Sequence, residues 1–233
     1  MIRKLTAKIP IRSGLLHHSV AWFLGALVLL FALSPFIEEM PNGKLLEALL
    51  LTVVLGTAVV AIGGRRRTLI QAIILVSPVV IARWLHHFNQ RDGTFSFHIA
   101  AFLVFLLFVI FHFLRFILRS PRVNSEVLCA AVATYLLLGL LWGCAYVLVA
   151  RLVPGAFSGV AASSQPLHGF DAIYFSLITL STVGYGDIAP VAGVARMLAM
   201  MEAVTGTMYM AVLVARLVSV YSATPDSPDG QDH

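Results

Sequence analysis

Six residues in the last quarter of the chain, Thr182, Val183, Gly184, Tyr185, Gly186 and Asp187, carry the chemistry that the sequence spells most directly. A K⁺ ion in water is wrapped in oxygens, and a protein that removes this shell without a large barrier must replace it with backbone carbonyls and a hydroxyl. Gly184 and Gly186 lack a Cβ and can take positive φ, so alternate residues can turn their carbonyls toward one axis. Thr182 adds a hydroxyl at the inner end, which makes Thr182, Val183, Gly184 and Tyr185 the expected K⁺ ligands. The side chains of Val183 and Tyr185 then point away from the axis. Asp187 sits at the outer mouth, where a carboxylate can bond an aromatic or amide group.

Glu202 is the one carboxylate deep inside an expected span. Ionisable groups at membrane depth are costly and are functional candidates by default. Glu202 either lines a cavity and attracts cations or packs behind the hexapeptide, taking hydrogen bonds from hydroxyls such as Thr179 or Ser181; the second placement is favoured. His86, His87, His98 and His112 raise the question of a metal site. Adjacent histidines face different sides of a helix, and no cysteine or carboxylate at ligand spacing joins them. Interfacial histidines near Trp84 are the preferred reading.

These residues must be held by membrane helices. Of 233 residues, 59% are hydrophobic and 12% charged, far from the roughly one quarter charged of a soluble domain. Apolar stretches fall at 19–37, 45–62, 68–85, 95–118, 127–153 and 191–221, each near the length needed to cross a bilayer. A signal peptide would resemble the first, but Pro35, Glu38 and Glu39 follow it rather than a small-residue cleavage site, so a retained span is favoured. Cys129 and Cys144 are fifteen residues apart in one stretch, roughly 22 Å along a straight helix, too far for a disulfide.

The net charge of +5 follows topology rather than nucleic acid. Arg3, Lys4, Lys8 and Arg12, then Arg65, Arg66 and Arg67, then Arg115, Arg119 and Arg122 all fall on one side of a six-span arrangement, which puts both termini in the cytoplasm. The two arginine clusters are candidate sites for anionic lipid. The resulting division is a basic segment (1–18), a four-helix peripheral domain (19–122), a pore unit (123–221) and a polar tail (222–233). Residues 154–169 form a loop without evident chemistry.

A short helix from Phe170 to Ser181, the Thr-Val-Gly-Tyr-Gly-Asp hexapeptide, and a long apolar span beginning near Pro190 follow in that order. This order resembles the pore region of tetrameric potassium channels. The resemblance is specific over 127–221 and rests on span count alone over 1–122; the compact chain looks like a prokaryotic member. It implies an all-α membrane protein with six transmembrane helices and a re-entrant pore helix and filter between the fifth and sixth. It also implies a homotetramer in the plasma membrane, since one filter segment per chain is a quarter of a cage. K⁺ is then the permeant ion, with no enzyme activity and no cofactor.

In that family a glycine twenty residues after the last filter glycine serves as an inner-helix hinge, and Gly206 stands twenty residues after Gly186. Packing against the pore helix is the alternative reading. If Glu202 lies behind the filter, its protonation couples to filter stability, and Glu202→Gln is expected to change open probability more than K⁺/Na⁺ selectivity. A voltage sensor needs arginines at every third position through the fourth span, because each charge contributes only about 2.3 kcal/mol per 100 mV. Here the span has His98 and His112 inside and arginines only at its end, so strong voltage gating is not expected. The rival functions are a non-conducting regulatory or scaffold protein, and a K⁺-uptake transporter subunit, which would usually carry four filter-like repeats.

Overall fold

The computed structural model describes residues 19–38, 40, 43–62, 66–88, 95–159, 167 and 169–222. Within them the chain forms α1 (Ser19–Glu38), α2 (Gly43–Ile62), α3 (Arg66–Phe88), α4 (Phe95–Arg119), α5 (Ser125–Leu152), β1 (Phe157–Ser158), α6 (Gly169–Leu180), β2 (Ala189–Pro190) and α7 (Gly193–Ser222). Helix is the form such spans must take, because hydrocarbon offers backbone N–H and C=O groups no partner except each other. The fold is all-α and membrane-spanning, as expected.

Among the described residues, α1, α2, α4, α5 and α7 are long and apolar enough to cross a bilayer. The expected third span falls on α3, in which Arg67–Ile81 is an apolar stretch. At 23 residues α3 is about 34 Å long, enough to cross. The 12-residue α6 is too short to cross and fits a re-entrant helix. The basic segment, Arg65, Asp92 and the tail aspartates lie outside the described residues, as does most of 160–168.

The helices share one core. α1 packs on α2 and α5 and reaches α6, α3 packs on α2 and α4, and α4 packs on α5. Phe23, Leu27, Phe105 and Val109 from the peripheral helices join Ala130, Ala133, Leu137 and Leu180 in a single buried cluster, with the Phe23 and Phe113 rings 5.4 Å apart. The peripheral helices therefore rest on α5 and α6 of their own chain. Near one end of α4, His98 is buried against the protein. His112 bonds the Phe108 carbonyl through Nδ1 at 2.9 Å and lies against the Phe108 ring. Cys129 and Cys144 form no disulfide with each other.

A connector of five residues, 120–124, joins α4 to α5. Ser120 Oγ donates to the Arg122 carbonyl at 2.8 Å. Asn124 then caps α5: its extended backbone (φ −124°) lets Oδ1 accept from the Val127 N–H at 3.0 Å, with Glu126 in the first turn. Both features favour a helix start, the first by satisfying an orphan donor and the second through the helix dipole. Arg122 thus lies on the connector and not on the helix face of Arg115 and Arg119; all three are exposed.

Candidate ion-binding site

The hexapeptide begins as the cap of α6. The Val183 N–H donates to the Ile178 carbonyl at 2.9 Å and the Thr182 N–H to the Thr179 carbonyl at 3.0 Å. These are the two bonds of a Schellman ending, which requires a left-handed residue at the position Thr182 occupies, usually glycine. Thr182 has φ +59° and is the one non-glycine with positive φ among the described residues. A β-branched residue held there stores roughly 1–3 kcal/mol of strain, a cost that persists where a site over-determines the backbone. Glycine would relieve that strain but would remove the hydroxyl.

Gly184 (φ +53°) and Gly186 (φ +80°) follow, so positions 182, 184 and 186 are all left-handed. This alternation is the backbone form that turns successive carbonyls the same way. Sequence reasoning anticipated it at the two glycines and missed it at Thr182. Every residue from Ser181 to Asp187 is exposed in the single chain, Val183 by 53% and Tyr185 by 73%. The side chains expected to pack behind the carbonyls thus have no packing partner within one chain.

The outer end is clamped. β1 pairs antiparallel with β2, Phe157 opposite Pro190 and Ser158 opposite Ala189. The Val191 and Ala192 N–H groups both donate to the Ala156 carbonyl, at 2.8 and 3.2 Å. Gly159 (φ +84°) lies so close beneath the Asp187 carbonyl that a Cβ would collide with it. The loop that carried no evident chemistry in sequence therefore holds down the segment following the filter. Tyr174 Oη donates to Asp187 Oδ2 at 2.7 Å, the aromatic partner expected for this carboxylate. That bond holds the Asp187 carboxyl below the usual carboxylate range and pushes the Tyr174 phenol up to about 12.

Behind α6 sits Glu202, fully buried. Ser176 Oγ stands 2.5 Å from Oε1 and Tyr146 Oη donates to Oε2. Ser176 Oγ also lies 2.7 Å from the Gly139 carbonyl. The carboxyl is therefore buried against α5 and α6, and its partners are Ser176 and Tyr146 instead of Thr179 or Ser181. The physical reason is helix phase. The buried stripe of α6 is Ala172, Phe175, Ser176 and Leu180; Ser181 Oγ instead returns to the Leu177 carbonyl at 2.7 Å. Tyr146 is itself walled in by Phe157 and Phe175.

Gly206 is buried one turn along α7 from Glu202. A Cβ there would run into the Leu180 carbonyl oxygen, with Leu180 C and Cδ1 at 3.0 Å. This is the close approach of the packing alternative, and it brings α7 directly against the last residue of the pore helix. Further along α7, Tyr209 Oη donates to the Ala131 carbonyl at 2.6 Å. Near its end, Arg216 Nη2 donates to the Ser120 carbonyl at 2.9 Å, across to the α4–α5 connector.

Tyr146, Tyr174, Ser176, Tyr209 and Arg216 were not singled out from sequence. Only Tyr174 answers to a signal there, as one of the aromatic or amide groups that Asp187 was expected to be able to bond. The others are lone polar atoms in apolar helices, paired with partners far away in the chain.

Residues 127–223 match the family described as "Ion channel". Over 67 residues, 29% of this chain, it is 34% identical to "Two pore potassium channel c" of Oryza sativa subsp. japonica, covering 14% of that protein. Over 49 residues, 21% of the chain, it is 45% identical to "Two-pore potassium channel 4" of Arabidopsis thaliana, covering 17%. Over 48 residues, also 21% of the chain, it is 48% identical to "Protein LctB" of Bacillus caldotenax, covering 35%. The chain thus spans about a third or less of the length of these relatives. No solved structure matches significantly. The resemblance to the potassium-channel pore family, first carried by the hexapeptide and its flanks, holds over this segment.

Proposed function

We propose, on the premise that residues 127–223 are a segment of the potassium-channel pore family, that this chain is one subunit of a homotetrameric K⁺-selective channel. K⁺ passes down its electrochemical gradient through a filter built from Thr182, Val183, Gly184, Tyr185 and Gly186, with Asp187 at the outer mouth. The observation that carries this reading is the hexapeptide itself: left-handed residues at alternate positions, in a segment exposed throughout in one chain. Irregular backbone at membrane depth is tolerated only where other protein or a water-filled path surrounds it, and further copies of the chain supply both.

The electrostatics agree. α6 ends at Leu180, two residues before Thr182, and has no basic residue in its last turn, so its partial negative end is left to favour a cation at the filter's inner mouth. Gating is not strongly voltage-dependent in this reading, since Arg115 and Arg119 stand in the last turns of α4 and neither repeats through it. The exposed Arg67, Arg115, Arg119 and Arg122 meet anionic headgroups on the cytoplasmic face of the plasma membrane, with both termini on that side.

The test is K⁺ and Na⁺ flux into liposomes holding the purified chain, with Gly184→Ala beside it. K⁺-selective flux lost on that substitution supports the channel. Equal flux of both ions, or no flux in the wild type at any potential, lipid or pH, refutes it.

A further inference from the structure

The oxygens around Glu202 do not balance if its side chain is a carboxylate. Three short oxygen–oxygen contacts are present: Tyr146 Oη to Glu202 Oε2, Ser176 Oγ to Glu202 Oε1 at 2.5 Å, and Ser176 Oγ to the Gly139 carbonyl at 2.7 Å. A carbonyl can only accept, a carboxylate can only accept, and each hydroxyl has one proton to give. Two hydroxyl protons cannot serve three contacts. If Ser176 donates to a carboxylate, its lone pairs face those of Gly139 at hydrogen-bond distance with nothing between them. If it donates to Gly139, the same conflict falls on Oε1.

We propose that Glu202 enters this network as a carboxylic acid and supplies the third proton. Oε1–H donates to Ser176 Oγ, the Ser176 hydroxyl donates to the Gly139 carbonyl, Tyr146 Oη–H donates to Oε2, and every contact is then filled. The surroundings agree. Glu202 is fully buried, its hydrogen-bond partners are neutral hydroxyls, and no Lys, Arg or His side chain stands against it among the described residues. A buried carboxylate without a cation is strongly disfavoured. Tyr146 is the titratable group touching it, and Tyr135 lies beyond contact on the same helix.

The acid acts as a bolt through three helices: Tyr146 and Gly139 on α5, Ser176 on α6, Glu202 on α7. Ser176 is one turn before Leu180, on which the filter is built. Glu202 is thus a positioning residue for the filter, acting through the pore helix. This functional part rests on the channel reading above; the proton itself does not.

The test has two arms, both on the full chain in liposomes. In infrared difference spectra at neutral pH, the wild type shows a protonated-carboxyl C=O band that Glu202→Gln removes. If Glu202→Gln does not fold, Ser176→Ala and Tyr146→Phe keep the acid but each delete one partner, and each shifts the band. Absence of the band, or a band indifferent to all three substitutions, overturns the proposal.

The second arm is K⁺ flux. A glutamine amide accepts from Tyr146 and donates to Ser176, whereas leucine does neither, so Glu202→Gln keeps at least about tenfold more flux than Glu202→Leu. This revises what sequence alone suggested for glutamine. Equal loss in both variants overturns the neutral-acid role. A wild type without flux refutes the channel and leaves the spectral arm to decide the proton.

Discussion

Replacing Gly206 by alanine sets two effects of known size against each other. Alanine is favoured over glycine inside a helix by about 1 kcal/mol, and on that ground alone α7 would gain stability. The added Cβ, however, points at the Leu180 carbonyl oxygen, with Leu180 C at 3.0 Å. A backbone oxygen at the capped end of α6 cannot rotate away as a side chain can. Overpacking of this kind costs about 1–3 kcal/mol, so each subunit loses a net 0 to about 2 kcal/mol, taken up by displacement of the pore helix end and of Thr182 beside it.

Two other glycines calibrate the scale. At Gly139 a Cβ meets Leu177 Cδ2, the mobile end of a side chain, and at Gly143 the nearest atom is the Ala172 carbonyl oxygen at 3.2 Å. The assay is the fraction of purified oligomer surviving graded heating in mild detergent, together with K⁺ flux. The expected order of loss is Gly206→Ala well above Gly143→Ala and Gly139→Ala. An oligomer of Gly206→Ala more heat-resistant than the wild type, as helix propensity alone would make it, refutes the packing argument. Full resistance with lost flux points instead to the hinge.

The remaining predictions concern the filter's two ends and the connector. Gly184→Ala meets no atom within 4 Å, so its cost is the left-handed backbone alone, about 1–2 kcal/mol; K⁺/Na⁺ selectivity should fall while the oligomer persists in detergent, and an unchanged flux ratio would contradict this. Tyr174→Phe removes the donor that depresses the Asp187 pKa. Because the pKa is lowered in the folded state, the bond's contribution is present above the ordinary carboxylate range and is lost as pH falls through the depressed value. The variant should therefore match the wild type in strong acid and be less stable at neutral pH, a difference readable by heating the oligomer at both. Arg216→Met breaks the bond to the Ser120 carbonyl and should change single-channel open probability with ion selectivity intact; equal open probabilities would dismiss the contact as incidental.

The candidate filter was legible in sequence because its signal is local: five consecutive residues offer oxygens, and two glycines announce the positive-φ backbone found at Gly184 and Gly186. Thr182 escaped the same logic because its left-handed φ comes from capping α6, a duty that glycine usually fills. The burial of Glu202 was legible from its isolation among apolar residues, but its partners were not. Tyr146 and Ser176 lie 56 and 26 residues away, and a lone hydroxyl in an apolar span carries no periodic signal. The phase of α6, which selects Ser176 over Thr179, is set by tertiary packing and leaves no mark on so short an apolar helix. In the peripheral helices apolar residues face lipid and core alike, so the hydrophobic period that orients a helix in water is silent. That α1 packs on α5 and α6 of its own chain was for this reason unreadable.

α7 shows how little of the inner helix one chain satisfies. Its buried positions are Ala195, Glu202 and Gly206, the latter two seven and eleven residues beyond the first, a single narrow seam on a 3.6-residue helix. Ala195 lets α7 close on Val149 and Ala156, Glu202 bonds α5 and α6, and Gly206 meets Leu180. Around that seam Val194, Met197, Met200, Met201, Val204 and Met208 are exposed beside an equally exposed filter. Apolar side chains alone could face lipid, and an uncovered α7 would then mean little. The exposed, irregular backbone of the hexapeptide could not. The adjacency of the two, one surface indifferent to lipid and one incompatible with it, supports the homotetramer proposed above. Loss of the oligomer should accordingly cost the filter its order before it costs α7 its helix.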